Sequence, residues 1–195
     1  MEGKKGREMI RFATSEDGIS IAKLVLVILK DMELPFVQEV GEAKTIEILT
    51  EAVKDPTYRY GYKRGLVKEV DGKIAGIAFG YPDEEEPIVD NALTRVLTEM
   101  GMTDRPLFID PETFPNEWYL DTICVDEAFR GQGIGSELLD ALDRIAKREE
   151  KSVIGLCVDQ ANPNAQRLYE RKGFCVVGEQ MLSGHRYNHM QKTID

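Results

Sequence analysis

The sequence predicts a single α/β domain with a mixed, mostly antiparallel central sheet and helices on both faces. Three observations support this prediction: a strand followed by an amphipathic helix near the start, two apolar runs flanking Asp71-Gly72, and a strand–helix–strand unit over residues 118–158. Asp71-Gly72 is a two-residue turn in which both residues tolerate positive φ, so it indicates an antiparallel hairpin. The length of 195 residues is that of one domain, which we take to cover residues 1–195.

The first half of the chain is predicted to hold three strands and two helices. Thr14 and Asp17 have the spacing of a capping box, and apolar residues recur at helical spacing after them. The second helix stops before Pro56, because proline forces the preceding residue out of the helical region. The predicted strands are residues 9–14, 65–70 and 73–80, and the helices follow Asp17 and cover 42–53.

Residues 82–117 are rich in Pro, Asp and Glu and are predicted to be an insertion in the domain. Its apolar residues from Ile88 to Met100 still recur at helical spacing, and Gly101 stands where a C-cap belongs. The insertion should therefore contain one helix. The acidic run Asp83–Glu86 before it is interpreted as a solvated loop.

The second half is predicted to contain four strands and two helices. Asn162 followed by Pro163 fits an N-cap and a first helical turn, and Gly173 fits the end of that helix. The strands are predicted at 118–125, 152–158, from Phe174 onward and at 186–192, and the first of the two helices at 133–148.

Composition excludes several classes of function. Lys plus Arg total 25 against 35 for Asp plus Glu, a net charge of −10, so nucleic acid is not expected as a partner. The longest apolar run has six residues, whereas a membrane span needs about 20, so no membrane partner is expected. Three cysteines without a C-x-x-C pair and two histidines predict reduced thiols, with Cys157 and Cys175 in the core, and no metal. The charged N-terminus lacks the apolar segment of a secretory signal, which predicts a cytoplasmic protein.

The most informative segment runs from Val125 to Ser136, where a strand ends, a glycine-rich turn follows and a helix begins. Glycines allow a ligand to approach the backbone closely. The unpaired N–H groups and the dipole of the first helical turn attract an anion. The segment therefore predicts a phosphate-binding turn.

Two other phosphate motifs compete for this segment. A P-loop is excluded, because Gly135 is followed by Ser and Glu rather than by Lys and Ser or Thr. A dinucleotide fingerprint is closer, since Gly131-x-Gly133-x-x-Ser136 also follows a strand and opens a helix. A dinucleotide-dependent oxidoreductase therefore stays open as an alternative.

The pattern R-x-x-G-x-G at residues 130–135 resembles the acyl-CoA signature of the GNAT family of N-acetyltransferases. The pattern N-x-x-A-x-x-L-Y-x-x-x-G-F at 162–174 is similar to the second signature of that family. The resemblance covers residues 118–175 and implies a GNAT-like fold that uses acetyl-CoA as co-substrate.

The resemblance also implies how acetyl-CoA binds. In this family the strand at 118–125 carries a bulge and splays from the next strand, so the backbone of Ile123, Cys124 and Val125 would bind pantetheine and the thioester oxygen. Asn162 would bind the pantetheine arm, although it is also a favourable N-cap. The pyrophosphate would be held by Arg130, Gly131, Gln132, Gly133, Ile134, Gly135 and Ser136.

The catalytic residues are implied less completely. Tyr169 has the position of the family's general acid, which protonates the leaving thiolate, although its residue type also fits a core aromatic. In one branch of the family a Glu lies eleven residues before the first motif, and here Tyr119 occupies that place. Asp121, two residues later and so on the same face of the strand, is the candidate base or amine anchor. Glu117 is the fallback.

The expected function is acetyl transfer from acetyl-CoA to a primary amine of a small molecule or peptide, by direct attack in a ternary complex. The departure at Tyr119 keeps a second hypothesis open, a non-catalytic acyl-CoA-binding regulatory domain. The inserted helix is expected to cover the acceptor cleft and to help select the substrate. A homodimer is also expected to be compatible with this fold.

Overall fold

The computed structural model describes residues 8–103 and 106–195, which form a seven-stranded sheet with helices on both faces. The strands are β1 (Glu8–Phe12), β2 (Gly65–Val70), β3 (Lys73–Pro82), β4 (Trp118–Val125), β5 (Val153–Asp159), β6 (Cys175–Leu182) and β7 (His185–Thr193). The helices are α1 (Gly18–Asp31), α2 (Pro35–Val40), α3 (Glu42–Val53), α4 (Asn91–Glu99), α5 (Ile134–Ala141), α6 (Asp143–Arg148) and α7 (Pro163–Arg171).

The sheet has the strand order β1-β2-β3-β4-β5-β7-β6. Every neighbouring pair is antiparallel except β4 and β5, which run parallel. The predicted mixed, mostly antiparallel sheet is confirmed. It is not the parallel sheet that a dinucleotide fingerprint requires, so the oxidoreductase alternative lacks its structural context.

Helices cover both faces of the sheet, as predicted. Apolar residues of α1, α3 and α4 form one core cluster, and those of α5 and α6 form a second cluster on the opposite face. Within the described part of the chain, no helix is long and apolar enough to cross a membrane.

Local signals in the sequence explain several elements. Asp71 and Gly72 have φ values of 50° and 78°, as the two-residue turn between β2 and β3 requires. Thr14 and Asp17 form the predicted capping box ahead of α1. Asn162 caps α7, because its side chain accepts a hydrogen bond from the backbone N–H of Ala165 at 3.1 Å.

Three elements differ from the prediction. The helix predicted at 133–148 is divided into α5 and α6 at Leu142, whose N–H donates to Leu139, three residues back rather than four. The helix α2 was not predicted; it is a single short segment that begins with Pro35 in its first turn. The inserted helix is shorter than predicted, and Ile88 lies outside it and is exposed.

The acidic run at the start of the insertion is not simply solvated. Asp83 accepts hydrogen bonds from the backbone N–H groups of Asn116 and Glu117, at 3.0 and 3.1 Å. Glu86 accepts from the backbone N–H groups of Glu112 and Thr113, at 2.6 and 3.2 Å. These carboxylates attach the end of the insertion to its beginning, so the returning chain is held against the sheet.

The prediction that the inserted helix covers the acceptor cleft is wrong. The apolar residues of α4 pack against the core cluster of α1 and α3, so they are buried there and not over the cleft. Among the described residues of the insertion, Glu112 is the one that lines the cleft between β4 and β5.

The cysteines occupy three different environments. Cys124 is buried, Cys157 is half-buried and Cys175 is exposed, and all three are free thiols. The prediction that Cys175 belongs to the core is wrong, because β6 is an edge strand.

Candidate active site

A cleft opens where β4 and β5 separate. The two strands pair only from Trp118 to Leu120 on β4 and from Ile154 to Leu156 on β5. Beyond these residues they diverge and leave a cleft of about 230 Å³. Its walls include Glu112, Asp121, Ile123, Asp159, Asn162 and Tyr169.

A bulge in β4 lies at the mouth of this separation. Thr122 pairs with Phe79 of β3 and Leu120 pairs with Gly80, so Asp121 is an extra residue on β4. Leu120 packs in the core cluster of α5 and α6. Without a bulge, Thr122 would be the next residue of β4 on that face, but Ile123 packs there instead. The bulge therefore places Asp121 and Thr122 on the same face of the sheet.

Backbone donors of β4 point into the separation. The N–H of Asp126 donates to the carbonyl of Ala75 on β3 at 2.9 Å. Because N–H directions alternate along a strand, the N–H of Cys124 also points toward β3, and those of Ile123 and Val125 point to the other side. This is the arrangement that the resemblance implied for binding pantetheine and the thioester oxygen.

The glycine turn leaves open space for a ligand. Gly131 and Gly133 have φ values of 77° and 82°, and apart from the adjacent residues no described atom lies within 4 Å of the place where a Cβ atom would stand on either. Gly133 caps α5, so the N–H groups of Ile134, Gly135 and Ser136 lie in its first turn without helical partners. Such a turn fits a pyrophosphate.

Other residues of the predicted phosphate site are distributed around this turn. Arg130 is exposed, and its Nε donates to the carbonyl of Val125 at 3.3 Å. Gln132 is exposed, Ser136 is half-buried, and the Ile134 side chain is buried in the core, so only the backbone of Ile134 can meet a ligand. Arg130 and Val125 also line a groove on the α1 side.

The helix α7 contributes Asn162 and Tyr169 to the opposite wall. The amide oxygen of Asn162 is used in capping, which leaves its NH₂ group for a ligand. The Tyr169 ring packs edge-on against Phe174 with 6.1 Å between centroids. Within the described residues its hydroxyl has no hydrogen-bond partner, and burial raises its pKa to about 12.

Asp121 is bound by a buried arginine. Arg59 Nη1 lies 2.6 Å from Asp121 Oδ1, and the two side chains are 4% and 2% exposed. Burial raises the pKa of Asp121 to about 7, although the charge of Arg59 opposes this rise, and the nearby carboxylate of Glu112 adds to it. A carboxyl group in this range can exchange a proton near neutral pH.

Arg59 binds two further carboxylates, both in the insertion. Its Nε and Nη2 form a two-pronged pair with Asp90, each at 2.8 Å, and Nη1 reaches Glu112 at 3.3 Å. The guanidinium also lies over the ring of Phe108, 3.8 Å from its centroid. Sequence reasoning missed Arg59 and Glu112, because no motif joins residues so far apart in the chain.

Glu117, the fallback base, is buried and faces away from the cleft. Its Oε2 lies 2.9 Å from His189 Nε2 and 2.8 Å from Gln191 Nε2, and its Oε1 accepts the N–H of Phe114. Since Nε2 of His189 donates to the carboxylate, Nδ1 is free to accept from Cys157 Sγ at 3.3 Å. This chain of contacts fixes the insertion to β5 and β7.

The structure thus places most predicted residues in one region. Asp121, Ile123, Asn162 and Tyr169 line the cleft, and the glycine turn lies at the end of β4. The Cys124 side chain packs instead against the α1 cluster, where burial raises its pKa to about 11. Cys124 is therefore not among the residues that line the cleft, and its N–H points toward β3, so its predicted part in binding pantetheine is not supported.

Two curated bacterial proteins share part of this sequence. "Acetyltransferase Atu2258" of Agrobacterium fabrum is 40% identical over 60 residues, 31% of this chain and 42% of that protein. "Spermine/spermidine N(1)-acetyltransferase" of Bacillus subtilis is 35% identical over 69 residues, 35% of this chain and 45% of that protein. The matched segment thus spans less than half the length of either relative.

Solved structures match over nearly the whole chain. One described as an acetyltransferase is 58% identical with a TM-score of 0.89, covering 96% of this chain and all of that one. An N-acetyltransferase from Staphylococcus aureus Mu50 is 31% identical with a TM-score of 0.82, covering 94% and 99%. The sequence model of the acetyltransferase (GNAT) family matches residues 29–174. The chain therefore belongs to the GNAT family of acetyltransferases.

Proposed function

We propose that the protein is an N-acetyltransferase that moves the acetyl group of acetyl-CoA to a primary amine, by direct attack in a ternary complex. The main support for this proposal is the cleft between β4 and β5, which has Asp121, at the bulge of β4, on one wall and Tyr169 on the other. Family membership supports acetyl transfer. The names of the Staphylococcus aureus and Bacillus subtilis relatives support an amine as the acceptor.

On the donor side, the chain's own groups bind and orient. Acetyl-CoA, when bound, supplies an acetyl group activated as a thioester. The glycine turn and the first turn of α5 would hold the pyrophosphate. The N–H groups of Ile123 and Val125 would donate to pantetheine and to the thioester oxygen, where negative charge develops during attack.

On the acceptor side, Asp121 would take the proton that the amine must lose before or during attack. A base with a pKa of about 7 is partly ionised at neutral pH, which suits this task. As the carbon–sulfur bond breaks, the Tyr169 hydroxyl would donate to the leaving sulfur. Because its pKa is about 12, this hydroxyl is protonated at neutral pH and is available as a donor.

Direct attack is favoured over a covalent route through the protein. Cys157 is the thiol on the cleft wall, and burial raises its pKa to about 12. Such a thiol carries almost no thiolate at neutral pH, and the thiolate is the nucleophilic form. The amine is therefore the nucleophile that meets the thioester.

A panel of amines with free-thiol release as readout tests this function. The panel should include alkylamines, polyamines, amino acids, aminoglycosides and peptides with free N-termini or lysines. We expect at least one class to give turnover that is lost with acetyl-CoA omitted. Acetyl-CoA binding without thiol release for any amine would overturn the proposal in favour of a non-catalytic acyl-CoA-binding domain.

A further inference from the structure

We propose that Glu112 of the insertion and the hydroxyl of Thr122 join Asp121 in holding the ammonium group of the acceptor. The inference rests on the proposed function and adds two residues to its acceptor site. It assigns a recognition role to the insertion, through Glu112.

The two carboxylates are neighbours on the cleft wall. Both accept from the same nitrogen, Nη1 of Arg59, at 2.6 Å for Asp121 and 3.3 Å for Glu112. The other oxygen of Glu112 accepts from the Tyr119 hydroxyl at 2.8 Å. These bonds fix the orientation of both carboxylates, so the cation site is preorganised.

The charges around Arg59 are unbalanced. Three carboxylates, those of Asp90, Glu112 and Asp121, bind this single guanidinium. Asp121 and Glu112 are 2% and 12% exposed, so water does little to screen them. A second cation in the cleft would reduce the excess negative charge, whereas a neutral amine would not.

Thr122 provides an independent indication of a ligand at the same place. Its residue is 4% exposed, and its Oγ1 is buried without a hydrogen-bond partner among the described residues. Thr122 lines the cleft next to Asp121 because of the bulge. A buried hydroxyl without a partner is costly, and an ammonium group has three N–H donors to distribute among two carboxylates and this oxygen.

Cation binding should displace a proton from Asp121. This carboxyl group holds a proton part of the time near neutral pH, since its pKa is about 7. An ammonium group beside it would favour the ionised form. The titratable groups that act on Asp121 from the surrounding elements include Tyr58, Arg59, Tyr60, Tyr81, Asp90, Glu112 and Tyr119. Asp31 of α1 and Asp159 of β5 line the same cleft.

Calorimetric titration with n-butylamine, a cation at pH 7, and with 1-butanol, a neutral analogue of equal chain length, tests the inference. Butylamine should bind at least about tenfold more tightly than butanol, as charge-assisted hydrogen bonds allow. In buffers of different ionisation enthalpy, its binding at pH 7 should release a measurable fraction of a proton. This release should vanish at pH 9 and in Asp121→Asn.

Two variants and one control locate the site. Glu112→Gln should weaken butylamine binding about tenfold, and Thr122→Val, which removes only the hydroxyl, should weaken it severalfold. Glu99→Gln should bind as the wild type does, because Glu99 is an exposed residue of the insertion outside the cleft. Thermal melts establish that each variant is folded; Thr122→Val disturbs none of the bonds to Arg59.

The outcomes separate this inference from the proposed function. Equal binding of butylamine and butanol, or butylamine binding unchanged in both Glu112→Gln and Thr122→Val, would overturn the inference. Acetyl transfer with no preference for cationic over neutral acceptors would overturn it while leaving the proposed function intact. Selective butylamine binding without acetyl transfer would support the cation site and overturn the proposed function.

Discussion

Arg59 and Asp121 form a buried ion pair that joins the segment before β2 to the bulge of β4. Their nitrogen and oxygen atoms lie 2.6 Å apart, and both side chains are almost entirely removed from water. Because Arg59 also binds Asp90 and Glu112, this pair connects the candidate base to the insertion. The insertion therefore contacts the Arg59–Asp121 pair through the carboxylates of Asp90 and Glu112, and its helix α4 does not cover the cleft.

Replacing Arg59 should strongly destabilise the fold. Arg59→Met leaves three carboxylates without their common partner, and removing one member of a buried ion pair costs about 3–5 kcal/mol. Urea denaturation measures the loss. Arg95→Met is the control, because Arg95 pairs with Asp55 on the surface and should matter little. Equal losses in both variants would contradict the buried network.

Asp121 should make stability depend on pH. Its pKa in the fold, about 7, lies above its ordinary value of 3.8, so folding favours the protonated form. The stabilisation of the fold by protonated Asp121 is fully present below about pH 4 and is lost as the pH rises through 7. The wild type should therefore lose stability relative to Asp121→Asn between pH 5 and pH 8. Unfolding free energies whose difference stays constant over this range would contradict the assignment.

Tyr169 should matter for turnover and not for cofactor affinity. Tyr169→Phe removes only the hydroxyl, so kcat should fall about 10²-fold while acetyl-CoA affinity stays the same. Tyr62→Phe is the control, since Tyr62 is a half-buried tyrosine outside the cleft. Unchanged kcat in Tyr169→Phe, with an identified acceptor, would leave this residue as a core aromatic.

Gly155 should tolerate no side chain. A Cβ atom there would overlap the carboxylate of Glu117, which is fixed by bonds to His189, Gln191 and Phe114. Overpacking of this kind costs about 1–3 kcal/mol, so Gly155→Ala should lower the thermal midpoint. Gly18→Ala is the control: it is a helical position with its nearest atom at an ordinary 3.5 Å, and it should cause no loss. A stable Gly155→Ala would mean that Glu117 can move.

Local chemistry made much of the fold predictable. The turn at Asp71-Gly72, the cap at Asn162 and the glycine turn after β4 each depend on residues close together in sequence, and each is found where it was expected. The helix α3 begins and ends at the predicted residues, and Pro56 limits its C-terminal end. The break at Leu142 leaves the apolar spacing intact, so periodicity could not reveal it.

The candidate site was predictable only in part. The motif residues and Asp121 could be found from the sequence, since each lies in one continuous segment. Arg59 could not, because the fold brings it to Asp121 across 62 residues of chain. Glu112 could not, because it lies outside any helix or strand and its backbone is held by Glu86, 26 residues away in sequence. The position of α4 was mispredicted for a related reason. The apolar stripe of this helix indicates that one face is buried, but it does not indicate which element buries that face.

Acetyl-CoA titration of the wild type, Gly133→Asp and Gly72→Asp by calorimetry tests whether the protein binds acetyl-CoA through the glycine turn. Both glycines have positive φ and open space around them, at 82° and 78°, so both variants carry the same backbone strain, and only Gly133 lies in the proposed pyrophosphate site. The wild type and Gly72→Asp should bind in the micromolar range, about −8 kcal/mol, and Gly133→Asp should not bind. A folded wild type that binds no acetyl-CoA would show that the cleft is not an acetyl-CoA site, and a Gly133→Asp variant that binds it equally well would show that the turn does not hold the pyrophosphate.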